Sequence, residues 1–286
     1  MSELNDPKFR IDLLANLNSD LDKASKALSD QDFRNHLGAS VIGKPCRMKA
    51  WLSFRWAFLE DFEGRMLRLF NRGHLEEPRN LGWLVGMGFE VREVDPATGK
   101  QYRVEAHNGH FGGSADAMLL APRHYGLTAP ILGEFKTFND NQFKKMKRVG
   151  VAVSHPEHLG QTSCYGDGLG VDWTLYMGVN KNDDAVHFEF LKTDRHMSNM
   201  MLNKAGEVIW SQKPLPKISD HPSFADCKTC AAAGVCHFGR PPLKNCRTCR
   251  RAKPVQNGEW YCETHNGIIP EDVIRATCGN GYERIV

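Results

Sequence analysis

Apolar residues recur along this chain with two periods, and the change between them divides it into helices and strands. Over residues 10–35 Leu13, Leu14, Leu17, Leu21 and Leu28 fall at helical spacing among polar neighbours, which predicts a surface helix. Pro45 precedes a helix expected to run from Cys46. A long amphipathic helix is expected over 61–85, marked by Phe62, Met66, Leu67, Leu69, Phe70, Leu75, Leu81, Trp83 and Leu84. Pro78 inside it predicts a kink or a break into two helices. Strands are expected at 89–94 and 101–105 around the turn Pro96-Ala97-Thr98-Gly99-Lys100. Two short apolar runs, 117–120 and 131–132, flank a polar loop with proline and glycine, the pattern of a β-hairpin. These strands are expected to form one small antiparallel meander. A helix over 156–167, strands at 171–179 and 185–191, a helix over 194–208 and a proline-containing linker over 211–224 complete the pattern. The alternation describes an α/β (α+β) chain.

Composition narrows the classes. With 286 residues, 25% of them charged, the chain can bury a sizeable core and hold one large domain with a smaller one. No apolar run approaches the length of a membrane span, so no membrane role is expected. The opening MSELNDPKFR lacks the basic-then-apolar build of a secretory signal, and a cytoplasmic protein is expected. A net charge of +3 permits a nucleic-acid partner without demanding one. Cysteine says more. Cys227, Cys230, Cys236, Cys246, Cys249 and Cys262 crowd into one C-terminal stretch, and in a reducing compartment that argues for metal rather than disulfides.

The hairpin carries the candidate chemistry. Residues two apart on a strand share a face, so Glu134 and Lys136 project together while Phe135 turns to the core. Pairing brings Asp116 alongside, and two carboxylates and an ammonium converge. Hard divalent cations take such oxygen ligands, Mg²⁺ usually with one or two carboxylates and substrate phosphate. A neighbouring lysine can orient or deprotonate a water and stabilise charge on phosphorus. Elsewhere, His74 and Glu77 are three apart on one helical face, and Glu76 is read as part of a solvated acidic turn. Gln161 and Tyr165 form another such pair, four apart. Lys144, Lys145, Lys147 and Arg148 form a basic run that, beside a phosphodiester site, would grip backbone phosphates.

In this order the pieces resemble the PD-(D/E)XK nuclease superfamily, in particular its RecB-like exonuclease branch. The matching elements are Gly73-x-x-x-Glu77-Pro78, Asp116, Glu134-x-Lys136 and Gln161-x-x-x-Tyr165, spanning roughly residues 40–195. Ala115 stands where the eponymous proline would be. The resemblance implies a central mixed β-sheet flanked by helices and a Mg²⁺- or Mn²⁺-dependent deoxyribonuclease, an exonuclease in that branch. It implies that Asp116, Glu134 and the Phe135 carbonyl bind the cation, that Glu77, with His74, completes its shell, and that Lys136 assists the attacking water. Gln161 and Tyr165 would hold DNA or order the site. Segments around 38–58 and 68–79 are similar to those of phage-encoded members, which implies DNA processing or recombination alongside partner proteins, and related exonucleases form homo-oligomers.

Cys227-x2-Cys230-x5-Cys236 with the distant Cys46 resembles the iron–sulfur branch of these nucleases, which implies a [4Fe–4S] cluster stapling the chain ends around the core. Zn²⁺ accepts the same thiolates, so spacing leaves the metal open. Farther on, Cys246-x2-Cys249 and Cys262-x2-His265 have zinc-ribbon spacing. Cys278 competes with His265 for the fourth place, and thiolate chemistry favours Cys278. Arg240, Lys244, Arg247, Arg250, Arg251 and Lys253, followed by Trp260 and Tyr261, are expected to engage a DNA backbone and stack on unpaired bases. The expected division is an N-terminal helical segment over 1–40, a nuclease domain over 41–238 and a zinc-ribbon-like tail over 239–286. Two competing readings are a non-catalytic, metal-stapled DNA-binding or regulatory protein, and a cluster that senses oxidation.

Overall fold

The computed structural model describes residues 3–29, 32–278 and 281–286. Asp30 and Gln31, inside the helix expected over 10–35, lie outside the described residues. The chain divides into two compact units, Met1–Asp32 with Glu60–Arg79, and Phe33–Leu59 with Asn80–Val286. The tail beyond residue 239 therefore belongs to the larger unit.

In the first unit, helix α1 (Pro7–Ala27) starts at Asp6, whose carboxylate accepts from the Lys8 N–H at 2.9 Å and satisfies one of the orphan donors of a helix start. Helix α2 (Arg47–Phe54) belongs to the second unit, while the longer α3 (Gly64–Gly86) begins in the first and ends in the second. Arg68 of α3 donates to Ser25 of α1 at 2.7 Å, and Lys26 pairs with Asp61 at 2.9 Å. Pro78 does not break α3 as expected; it lies inside one continuous helix. A proline removes a single amide donor, and the ladder on either side is long enough to continue through the gap. Glu76 is also not the solvated residue expected: only 9% exposed, it bridges Arg79 at 3.0 Å and Arg72 at 3.7 Å, at i+3 and i−4 on the same helix.

The second unit is built on a five-stranded mixed sheet. Its strands are β1 (Glu90–Arg92), β2 (Ala117–Leu120), β3 (Ile131–Phe138), β4 (Trp173–Asn180) and β5 (Val186–Lys192), in spatial order β5-β4-β3-β2-β1. Only β3 and β4 are parallel; their connection runs through helices α4 (Asp140–Val149) and α5 (Pro156–Leu169), as parallel strands require a crossover. Helix α6 (Arg195–Trp210) comes after β5. The period of two sorts β3 by face. Ile131 and Phe135 join Leu175, Met177 and Val179, beneath Leu81 and Leu84 of α3. On the other face Phe138 packs with Phe143, Met146 and Tyr176 under α4. Gly178 makes that second contact possible, since a Cβ there would stand 2.5 Å from the Met146 methyl.

The expected single meander is divided in the structure. Strand β1 joins the main sheet beside β2, whereas Val94–Asp95 pairs with Lys100–Gln101 as a separate two-residue ribbon. Arg103–Ala106 pairs with Phe111–Ser114, which also takes Leu37–Gly38 as a parallel neighbour. Turn residues at 96–99 set a hairpin locally, but burial on both sides decides which strand enters the large sheet.

The tail forms a three-stranded sheet of Ala252–Pro254, Trp260–Cys262 and Gly267–Ile268. Its packing removes Arg247 and Trp260 from the expected DNA surface, while Arg240, Lys244, Arg250, Arg251 and Lys253 stay exposed. Trp260 is 1% exposed and Arg247 2%, in the same core as Trp51, Phe54 and Trp56. The Arg247 guanidinium lies 3.7 Å from the Trp56 ring centroid and donates to the carbonyls of Phe54 (3.2 Å) and Asn35 (2.9 Å). Arg55 reciprocates, donating to the carbonyls of Arg247 (3.2 Å) and Ser211 (2.8 Å) between the rings of Trp51 and Trp260. A cation desolvated between indole faces with carbonyl acceptors is stable where it is and is closed to solvent.

Candidate functional site

The register of the main sheet assembles the site. Ala117 pairs with Gly133 across the antiparallel β2–β3 ladder, so Asp116, one residue earlier, comes level with Glu134. The Asp116 carboxylate accepts the Phe135 N–H at 2.8 Å. Glu134 is 1% exposed. Its Oε1 accepts from Lys136 Nζ on the same strand face and, at 3.1 Å, from Gln161 Nε2 on α5. Gln161 also donates to the Tyr165 hydroxyl at 3.2 Å, one turn along that helix. Glu134, Lys136, Gln161 and Tyr165 thus form one hydrogen-bonded group, two of them on β3 and two on a helix buried from Gly160 to Gly166, and Asp116, just before β2, is tied to it through the Phe135 N–H. Phe135, between Glu134 and Lys136, turns its ring to the opposite face.

Burial raises the Asp116 carboxyl above the ordinary range, opposed by the Lys136 ammonium and the Phe135 N–H. Burial, and then the Glu134 charge, also raises the Tyr165 hydroxyl, which keeps it a phenol. A buried carboxyl pushed upward beside a second carboxylate has much to gain from a cation, which would offset both desolvation and repulsion. The donor set, two carboxylates with a strand carbonyl between them, suits a hard divalent ion.

Three residues of this neighbourhood escaped the reading of the sequence. His158 lies one turn before Gln161 on α5, and its Nδ1 is 2.7 Å from the Tyr176 hydroxyl. Burial first, then Lys136 and His155, lower it to about 3, so the imidazole is neutral. Tyr176 pairs with Glu134 across the parallel β3–β4 ladder and is wholly buried. Gly113 leaves room for Tyr165, because a Cβ there would meet its hydroxyl at 2.7 Å. The spacing His155, His158, Gln161, Tyr165 runs along one helical face and was the available signal for His158. Tyr176 and Gly113 come to the site only through tertiary register and left no local trace.

His74 and Glu77 belong to the first unit, where His74 is exposed and Glu77 half-buried. Cys46 caps α2, its Sγ accepting the Lys49 N–H at 3.4 Å. Burial raises the thiols of Cys227 and Cys236, and the sulfurs of Cys46 and Cys230 act in the same direction on both. In the tail, Cys246 is pushed up to about 11 by burial and then by Cys278, Cys262 and Cys249. Cys249 Sγ accepts the Glu283 N–H at 3.4 Å. His265 is exposed between two strands. Among the described residues, no three His, Cys, Asp or Glu side chains are gathered in a way that could hold one ion. No helix among the described residues is long and apolar enough to cross a membrane.

No family model and no curated protein matches the chain. Among solved structures, it is similar to an alkaline exonuclease from Laribacter hongkongensis at 15% identity and a TM-score of 0.41, over 61% of this chain and 86% of that one. The same enzyme in complex with dAMP matches at 14% identity and 0.42, over the same shares. SSO0001 matches at 15% identity and 0.45, over 77% of this chain and 95% of that one.

Proposed function

We propose that the second unit is a divalent-cation-dependent nuclease that hydrolyses phosphodiester bonds in DNA, acting as an exonuclease. The observation that carries this reading is the convergence of Asp116, Glu134, Lys136 and Gln161 on one face of the sheet. Asp116, Glu134 and the Phe135 carbonyl would hold Mg²⁺ or Mn²⁺. When bound, that ion polarises a phosphoryl oxygen and makes water a stronger nucleophile at neutral pH. Lys136 places an ammonium beside the carboxylates, where negative charge builds on the phosphate oxygens and a water proton must leave. Gln161 fixes the Glu134 carboxylate from helix α5. Tyr165, kept as a phenol, fixes Gln161. The thiols at Cys46, Cys227, Cys230 and Cys236 are proposed to hold an iron–sulfur cluster or Zn²⁺. Those at Cys246, Cys249, Cys262 and Cys278 are proposed to hold Zn²⁺. Both sets offer soft donors suited to those metals. Iron, sulfide and zinc content with a visible spectrum on anaerobically purified protein tests the two assignments; absence of all three removes them.

The nuclease reading is tested with labelled linear DNA and covalently closed circles, with and without Mn²⁺. Wild-type protein is expected to degrade linear DNA only when the cation is present and to spare circles. Asp116→Asn, Glu134→Gln and Lys136→Ala are each expected to lose on the order of 10³-fold in rate. Mn²⁺ is expected to raise the melting temperature of the wild type and not of the two carboxylate variants. Wild-type rates in Glu134→Gln and Lys136→Ala would sink the assignment; cleavage of circles would convert exonuclease to endonuclease.

A further inference from the structure

Beside the candidate site the rings of Tyr176, His158 and His155 form a column. His158 and His155 stack with centroids 5.0 Å apart and planes 10° from parallel. His158 and Tyr176 continue the stack at 5.9 Å and 26°. Phe138 braces its side, 4.9 Å from His155. The inner end is fixed twice over: Tyr176 is wholly buried and level with Glu134, and its hydroxyl holds His158 at 2.7 Å. The outer end is anchored by Ser154, whose hydroxyl lies 2.9 Å from His155 Nδ1. Both histidines are half-buried, so the column runs from the sheet interior to the surface. Helix α4 carries the exposed Lys145 nearby. Lys145 is close enough to disfavour a charge on His155, while the Glu157 carboxylate acts in the opposite sense.

None of these rings takes part in the chemistry assigned above, and a packing role alone does not account for flat faces aligned up to the surface. We propose that this column is a nucleotide subsite next to the site of cleavage: an unpaired base of the DNA strand stacks at its His155 end, and Lys145 holds the accompanying phosphate. This rests on the nuclease reading for its substrate and adds to it that the strand is engaged single-stranded at this point. The surroundings favour a base over a phosphate at His155 itself. Burial disfavours a charge on the ring, and Glu157, two residues on, places a carboxylate near it, which opposes an anion and leaves the uncharged face of a base acceptable. Every base has such a face, so the subsite tolerates any sequence.

The test is binding of a fluorescein-labelled single-stranded oligonucleotide to the full chain by anisotropy, without added divalent cation so that the probe stays intact. His155→Ala is expected to weaken binding about tenfold, the range of one lost base stack. His155→Phe, which restores a flat ring, is expected to stay within about threefold of wild type. Lys145→Ala is expected to weaken binding less and to reduce the salt dependence by about one phosphate contact. A blunt duplex of the same sequence is expected to respond to none of the three. Unchanged binding by His155→Ala, or His155→Phe binding as weakly as His155→Ala at equal melting temperature, overturns the proposal. The two readings fail separately. A wild type that binds in this pattern but does not cleave loses the nuclease assignment and keeps the subsite. A wild type that cleaves while His155→Ala matches it in affinity and KM keeps the nuclease and loses the subsite.

Discussion

Two places in this molecule take charged side chains out of water, and they do so in opposite ways. Around Glu134 a carboxylate is met by an ammonium and an amide, with a second carboxyl level with it just before the neighbouring strand. Around Arg55 and Arg247 two guanidinia are buried, held by backbone carbonyls and by the faces of Trp51, Trp56 and Trp260, with no carboxylate among their hydrogen-bond partners in the described residues. Burial lowers Arg55 to about 10 and Arg247 to about 9. The first arrangement leaves a buried carboxyl raised by desolvation level with a second carboxylate, a condition that an added cation relieves. The second meets its cations with carbonyls that are themselves fixed in the backbone and with indole faces, and it is closed to solvent. Charge and aromatic composition is therefore a poor guide to a DNA surface until burial is known.

Removing Arg247 draws the contrast most sharply. Arg247→Ala is expected to cost about 3 kcal/mol of folding stability through the lost cation–π contact, unpaired carbonyls and a cavity. Chemical denaturation measures it; a loss below about 1 kcal/mol would show that this cluster is not structural cement. Gly113→Ala approaches the other region from behind. The new methyl must displace the Tyr165 ring, at an expected cost of about 1–2 kcal/mol and with a fall in cleavage rate greater than that loss alone explains. Retention of full activity would show that Gln161 does not depend on Tyr165 for its position.

The smallest effect concerns acid. His158 has a folded value of about 3 against an ordinary 6.5, so the unfolded chain binds the proton more readily. Its contribution is present above about pH 6.5 and is lost as pH falls through that value toward 3. His158→Gln is expected to flatten the fall of stability over this window, read from melts at a series of pH values. An identical slope would mean that His158 is solvated enough to titrate normally.

Much of the candidate site was legible because its signals are local. Glu134 and Lys136 share a face by the period of a strand, and Gln161 and Tyr165 by the period of a helix; neither depends on what packs alongside. His158 was legible on the same helix but looked like any other histidine until Tyr176 stood behind it. The single meander expected over 89–132 did not appear, because turn chemistry specifies neighbouring strands and not the sheet they enter.

The sequence by itself determined where strands and helices alternate and which side chains share a face, since those properties come from backbone periods that every residue carries with it. Tertiary structure alone decided that Asp116 comes level with Glu134, that Tyr176 supports His158, and that Arg247 and Trp260 are interior. Each of those is a meeting of segments far apart in the chain, and its energy comes from desolvation and register that no stretch possesses in isolation.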